Sequence, residues 1–245
     1  MTRILVGHLY PDYLNIYADR GNIAVLAQRA AARGHELDVQ AIGRGDEVPG
    51  GIDLFYVGGG QDREQALIAP DLAAKAAPLR EAVEADAAFL AVCGGYQLLG
   101  RFYRDLAGDE LPGVGILPLY TVAGERRMIG DVLLDCDWAG ETLAGFENHA
   151  GRTVLDAGAE PLGRVVEGFG NDGSTGFEGC RYRKVYGTYL HGPLLPRNPW
   201  FADRVLSDAL AHAGGPAELG PLEDGLEYAA HRVSAERARA RGGRY

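Results

Sequence analysis

Four short apolar runs recur through the first part of the chain: RILVGHLY (3–10), ELDVQAI (36–42), DLFYVGGG (53–60) and AAFLAV (87–92). Each has the length and the β-branched or aliphatic character of a strand, and helical spacing fills the gaps between them. GNIAVLAQRAAARG (21–34) sets Ile23, Leu26, Ala27 and Ala30 on one face. The stretch from Asp62 to Asp86 reads as helix, in two pieces or kinked at Pro70 and Pro78. Strands that alternate with helices pair in parallel, because each crossover helix carries the chain back to the starting edge. The predicted class is therefore α/β, with a largely parallel central sheet, helices on both faces, and reactive loops at the carboxyl ends of the strands.

After about residue 112 the pattern changes. GVGILPLYTV, IGDVLLD, LAGFENHAGRTVL and RVVEG are glycine-punctuated strands that suggest antiparallel hairpins or a mixed-sheet extension. The polar, glycine-rich GFGNDGSTGFEG (168–179) reads as an exposed loop, and KVYGTYLHG (184–192) as a further strand ending at His191. Two helices follow, near 199–213 and 224–241, the second carrying alternating charges that suit a solvated face or a docking surface. No linker divides the chain, so residues 1–245 are expected to form a single domain with these helices at its C-terminal end.

The formal net charge of −10 argues against nucleic acid as a partner, since a phosphate backbone selects a basic surface. No apolar stretch approaches the ~20 residues needed to cross a bilayer, and MTRILVGHLYPDY lacks a signal peptide's apolar core, so a cytoplasmic protein without membrane insertion is expected. Cys93, Cys136 and Cys180 lie too far apart for a disulfide framework or a zinc ribbon, and His8, His35, His149, His212 and His231 show no metal-ligand spacing and receive no catalytic task, His149 being the one expected near a pocket. No metal site is expected.

Within FLAVCGGYQLLG (89–100) an apolar strand stops on Cys93, Gly94 and Gly95 and resumes with helical spacing at Tyr96, Leu98, Leu99 and Phe102. A side chain at a tight strand-to-helix turn is pushed out above the sheet, and small neighbours are needed beside it. The free N–H groups of the helix start favour a thiolate and can receive an oxyanion. Gly58, Gly59 and Gly60, at the end of another strand, can bring a second N–H to the same edge, and His191 closes a third strand where a general base for Cys93 would stand. Taken alone, Cys93 reads equally well as a core thiol before a helix.

The stretch AVCGGYQLLG resembles the nucleophile motif of class I, triad-type glutamine amidotransferases, a cysteine followed by x-Gly-x-Gln, here Cys93, Gly95 and Gln97. DLFYVGGGQDREQ, YADRGN (17–22), RMIGD (127–131), GFENHAGRT (145–153) and GTYLHGP (187–193) resemble, in order, segments of the CobB/CobQ-like members, above all the glutaminase subunits (GatD type) of lipid II isoglutaminyl synthase. The resemblance implies a flavodoxin-like fold. It implies Cys93 as nucleophile, His191 as acid and base, Gly94 with Gly59 or Gly60 as the oxyanion hole, and Arg127, Gln97 and Asn148 as glutamine-binding residues. Many relatives carry an acid two residues after the histidine, whereas this chain has Pro193. Asp19 and Glu147 are the candidates for the missing orienting acid.

The chain has no G-x-x-x-x-G-K-[ST] loop and no cofactor of its own is expected. The resemblance assigns ATP and Mg to a Mur-ligase-like partner subunit (MurT type), which would use the ammonia to convert the D-glutamate of lipid II to D-isoglutamine. A cobyrinic-acid-type acceptor, a cysteine hydrolase of the same shape, and a subunit that only docks on a ligase remain alternatives.

Overall fold

The computed structural model describes residues 1–16 and 20–241. The chain runs β1 (Arg3–Leu9), α1 (Arg20–Ala31), β2 (Glu36–Ile42), β3 (Leu54–Val57), α2 (Asp62–Ala74), α3 (Ala76–Glu84), β4 (Ala88–Val92) and the five-residue α4 (Gly94–Leu98). Then follow β5 (Phe102–Arg104), β6 (Glu110–Pro112), β7 (Leu119–Cys136), β8 (Glu141–Leu155), β9 (Gly163–Glu167), β10 (Phe177–Glu178), β11 (Cys180–Tyr182) and β12 (Val185–Thr188). The C-terminal helices are α5 (Pro199–His212) and α6 (Gly225–Arg241).

One sheet has the order β11-β12-β4-β3-β1-β2 and is parallel except for β11. Strands β3, β4 and β12 are buried at every position, which explains why their sequences are continuous apolar runs rather than alternating ones. Phe55 and Phe89 stack in the centre, 4.6 Å between ring centroids. Helices lie on both faces, as the alternation of elements requires. The register sets Val92 of β4 opposite Thr188 of β12, so the chain leaves both strands at the same carboxyl edge.

The expected extension is a second sheet, built on the long β7–β8 hairpin with β9, β10, β5 and β6, and its pairs are antiparallel except that β5 runs parallel to β7. GVGILPLYTV and IGDVLLD do not form separate strands: both contribute to β7, and the residues between them form a bulge. Register passes from Ala123↔Gly151 to Met128↔His149, leaving residues 124–127 opposed by Ala150 alone.

Three further expectations need correction. The helical stretch breaks at Lys75, not at either proline: Pro70 sits inside α2, and Pro78 falls in the first turn of α3, where a missing N–H removes no helical bond. Phe102 belongs to β5 instead of a helix, because it stacks on Tyr120 at 5.1 Å. The 168–179 segment is not simply an exposed loop. Asn171 is buried and its side chain both donates to the Gly179 carbonyl and accepts from the Gly179 N–H, each at 2.9 Å. At Gly170 (φ +69°) a Cβ would stand 2.4 Å from the Phe177 carbonyl oxygen, so this reversal admits only glycine.

Helix α6 rests Ala235 and Ala238 on Leu133 and Ala144 of the hairpin, while Leu226 and Val233 face solvent. A buried guanidinium ties α1 to the later chain: Arg29 forks onto Asp203 of α5 and onto Asp224 just before α6. Among the described residues no helix is long and apolar enough to cross a membrane.

Candidate active site

Cys93 lies between β4 and α4 with φ +50° and ψ −107°. Such a conformation costs a non-glycine residue about 1–3 kcal/mol and persists only where surrounding bonds enforce it. They do so here. The Cys93 N–H donates to the Thr188 carbonyl at 2.8 Å, the Gly95 N–H to Gly58 at 3.1 Å, and the Cys93 carbonyl accepts from the Gln97 N–H at 3.0 Å. The glycines are sterically required. A Cβ on Gly95 would lie 2.7 Å from the Val57 oxygen and 2.8 Å from the Gly58 oxygen, and one on Gly94 would lie 3.0 Å from the Gly60 nitrogen. The backbones of Gly94 and Gly60 thus stand side by side at the sheet edge, next to the thiol.

This edge opens into a cleft of about 630 Å³. Of the residues singled out in the sequence, Cys93, Gly60, Gln97, Arg127 and Asn148 line it. Arg127 reaches it from the β7 bulge, its Nε donating to Asn148 Oδ1 at 2.9 Å and its Nη2 to the Asn148 carbonyl at 3.1 Å. Asn148 therefore holds the arginine at the cleft wall. Gly59, Gly94, Glu147 and His191 do not line the cleft; the Gly59 carbonyl accepts from the Ile16 N–H at 3.2 Å.

Behind the cleft lies a buried polar layer. Gln97 Nε2 donates to the Tyr189 hydroxyl at 3.0 Å, and that hydroxyl pairs with Thr153 Oγ1 at 2.6 Å, which pairs in turn with Thr121 at 2.7 Å. The His149 ring stacks flat on Tyr189, with centroids 3.4 Å apart and planes 3° from parallel. Burial lowers the pKa of His149, while the Glu147 carboxylate, 3.5 Å from its Nε2, pulls it upward. Glu147 also accepts from the N–H groups of Phe169 and Gly170, at 2.6 and 3.0 Å. Its carboxylate thus faces His149 and the start of the glycine-rich segment.

His191 is fully buried and lies just beyond β12. Its strand ends three residues earlier than the sequence suggests, at Thr188, because Glu178 draws the chain aside: its carboxyl group pairs with Thr188 Oγ1 at 3.0 and 3.1 Å and accepts from the Tyr189 N–H at 2.6 Å. The His191 N–H then donates to the Phe146 carbonyl at 2.7 Å, joining this end of the parallel sheet to β8. The ring lies close enough to His149 for the two to interact electrostatically. Pro193, where an orienting acid was sought from the sequence, packs on α1; a Cβ on Gly21 would stand 2.7 Å from its ring. Asp19 lies outside the described residues.

Burial pushes the Cys136 and Cys180 thiols up to about 12, so both are inert core groups, while Cys93 alone of the three lines the cleft. Glu178 is pushed up to about 8, first by burial; its hydrogen bonds oppose the shift and the Glu147 charge reinforces it. Gln65, Tyr103 and Gly151 also line the cleft and escaped the sequence reading as site residues, and His149, which the sequence brings near the pocket without a catalytic task, lines it too. Glu147 and His149 stand two apart on one strand and so share a face. Among the described residues no group of three or more His, Cys, Asp or Glu side chains could hold a metal.

Chemically, the arrangement offers a thiol on a strained turn, two adjacent backbone amides, and a guanidinium for a carboxylate. Residues 5–199 match the CobB/CobQ-like glutamine amidotransferase domain. The chain is 41% identical over 239 residues to the GatD subunit of a glutamine-hydrolysing lipid II isoglutaminyl synthase from Staphylococcus aureus, covering 97% of each chain. Identity to the Streptococcus pneumoniae counterpart is 40%, over 89% of this chain and 85% of that one. A cobyric acid synthase from Pelotomaculum thermopropionicum is 39% identical, but over 58% of this chain and 30% of that protein. Among solved structures, PurLQS from Thermotoga maritima superposes with a TM-score of 0.54 at 16% identity, covering 95% of this chain and 99% of that one. A glutamine amidotransferase of the same organism gives 0.53 at 17%, over 98% and 91%. These two likenesses concern the fold.

Proposed function

Because the chain belongs to the CobB/CobQ-like glutamine amidotransferase family, we propose that it is the glutamine-hydrolysing subunit of a lipid II isoglutaminyl synthase, acting in cell-wall peptidoglycan synthesis. The observation that carries this reading is similarity over 97% and 85% of the length of the two GatD subunits, whereas the cobyric acid synthase is matched over 30% of its length.

In this reading, Arg127 grips the α-carboxylate of glutamine with its planar fork, and the side-chain carboxamide reaches down the cleft to Cys93. Sγ attacks the carboxamide carbon, and the N–H groups of Gly94 and Gly60 hold the negative charge that develops on its oxygen. His191 takes the thiol proton and passes it to the departing nitrogen; ammonia leaves and a glutamyl thioester remains. The imidazole then draws a proton from water, hydroxide adds to the thioester, and glutamate is released with the thiol restored. The strained turn keeps the sulfur directed at the carbon, and part of the entropic barrier is met in folding.

Ammonia serves an acceptor that must be activated elsewhere. The chain is proposed to pair with a Mur-ligase-like ATPase (MurT type) that binds ATP and Mg and amidates the D-glutamate of lipid II, both subunits working in the cytoplasm. The test combines this chain, such a partner, ATP, Mg and lipid II. Wild type is expected to form D-isoglutamine from glutamine, and Cys93→Ser to do so only from added ammonium. Glutamine-driven amidation by Cys93→Ser, or amidation of a corrinoid acid in place of lipid II, refutes the proposal.

A further inference from the structure

We infer that Arg152 is a positioning residue that locks the β7 bulge and thereby aims Arg127 at the substrate carboxylate; this rests on the glutaminase reading above. The bulge poses a structural problem. Residues 124–127 face a single residue, Ala150, so the ladder that would bind their carbonyls and that of Ala150 is interrupted. The Arg152 guanidinium fills the gap. Its Nη1 donates to the Ala150 carbonyl at 2.9 Å, with a longer contact to Gly151 at 3.4 Å, and its Nη2 donates to the Arg126 carbonyl at 2.8 Å.

The fork passes under Gly124, where a Cβ would lie 2.9 Å from the Arg152 Cζ and 3.2 Å from its Nε. Arg126, whose carbonyl is held, directly precedes Arg127, so the bulge is pinned by Arg152 on one side and by the Arg127–Asn148 bonds on the other. Gly151, on the other strand of the same clamp, lines the cleft beside Gln97: a Cβ there would stand 2.3 Å from Gln97 Nε2. One side chain thus sets the spacing between the proposed carboxylate grip and the floor of the cleft. Two carbonyls on opposite strands demand a rigid, planar, two-pronged donor, which lysine is not.

Glutamine hydrolysis by the full chain, with its partner subunit where turnover requires it, tests the assignment. Arg152→Ala is expected to raise KM for glutamine about tenfold, with kcat within about threefold, because a loosened grip weakens binding more than chemistry. Arg152→Lys fails to rescue, since geometry rather than charge is lost. Turnover of 4-aminobutanamide, which lacks the α-carboxylate, is unchanged by Arg152→Ala, and Arg127→Ala with Arg152→Ala matches Arg127→Ala alone. Should Arg152→Ala fold poorly, Gly124→Ala displaces the same fork from the other side and raises KM likewise. An unchanged KM, rescue by lysine, or an equal loss on 4-aminobutanamide overturns the inference while wild type still hydrolyses glutamine. Wild type that neither binds nor hydrolyses glutamine overturns the parent reading and this one with it.

Discussion

Gly94→Ala separates catalysis from stability. A Cβ at Gly94 would stand 2.9 Å from Gln65 Nε2, 3.0 Å from the Gly60 nitrogen and 3.1 Å from Gln65 Cδ. Comfortable contact needs about 3.5 Å, so the Gly60 backbone has to retreat by about 0.5 Å. A donor about 2.9 Å from an oxyanion would then sit near 3.4 Å, at the edge of useful hydrogen bonding. Complete loss of one such donor costs about 3–4 kcal/mol; partial loss is put at about 2–2.7 kcal/mol, a thirty- to hundredfold fall in kcat. Stability responds differently. The Gln65 amide is the flexible end of a side chain and can yield, and alanine favours a helix start over glycine by up to about 1 kcal/mol, so the melting temperature should stay within about 4 °C. The assay pairs steady-state glutamine hydrolysis with thermal unfolding of the same preparation. Gly95→Ala is the contrasting control: the atoms nearest its Cβ are Val57 Cγ1 and the Val57 and Gly58 carbonyl oxygens, and overpacking of about 1–3 kcal/mol lowers the melting temperature. A Gly94→Ala enzyme with kcat within threefold of wild type and an unchanged melting temperature would refute the oxyanion reasoning.

Two further outcomes follow from the buried charges. Arg29→Ala removes the guanidinium shared by Asp203 and Asp224. The stranded carboxylates keep some access to water, so the loss should lie near the low end for a buried pair, about 3 kcal/mol in urea unfolding; a change under 1 kcal/mol contradicts the picture. Glu178 holds its proton to about pH 8 in the folded protein and to about 4.5 in the unfolded chain. Between those values the folded state binds more protons, so its contribution is full below about pH 4.5 and is lost as pH rises through about 8. Glu178→Gln should therefore flatten the decline of melting temperature over that window; parallel profiles for the two proteins would show that the carboxyl carries no such linkage.

How much of this was legible beforehand follows the range of the interactions involved. The strands around Phe55 and Phe89 declare themselves because burial on both faces demands unbroken apolar runs. The Cys93 turn does so because adjacent backbone oxygens leave room for nothing but glycine at Gly95. The β7 bulge could not be read, since it exists only where β8 fails to match four residues with one. Glu178 was placed in an exposed loop, because its polar, glycine-rich surroundings carry no trace of the two distant residues it binds.

The amino-acid order alone determined the α/β class, the cysteine elbow and the family, since each depends on neighbours within a few positions along the chain. Only the folded structure decided which groups share the cleft: Arg127 held by Asn148, Gln97 by Tyr189, and the latter stacked on His149. The first pairs the two strands of the β7–β8 hairpin, the second ties α4 to the segment after β12, and the third joins that segment to β8, so each depends on which elements the fold sets side by side. A side chain's spacing says what it is able to do; the packing of distant strands decides what it meets.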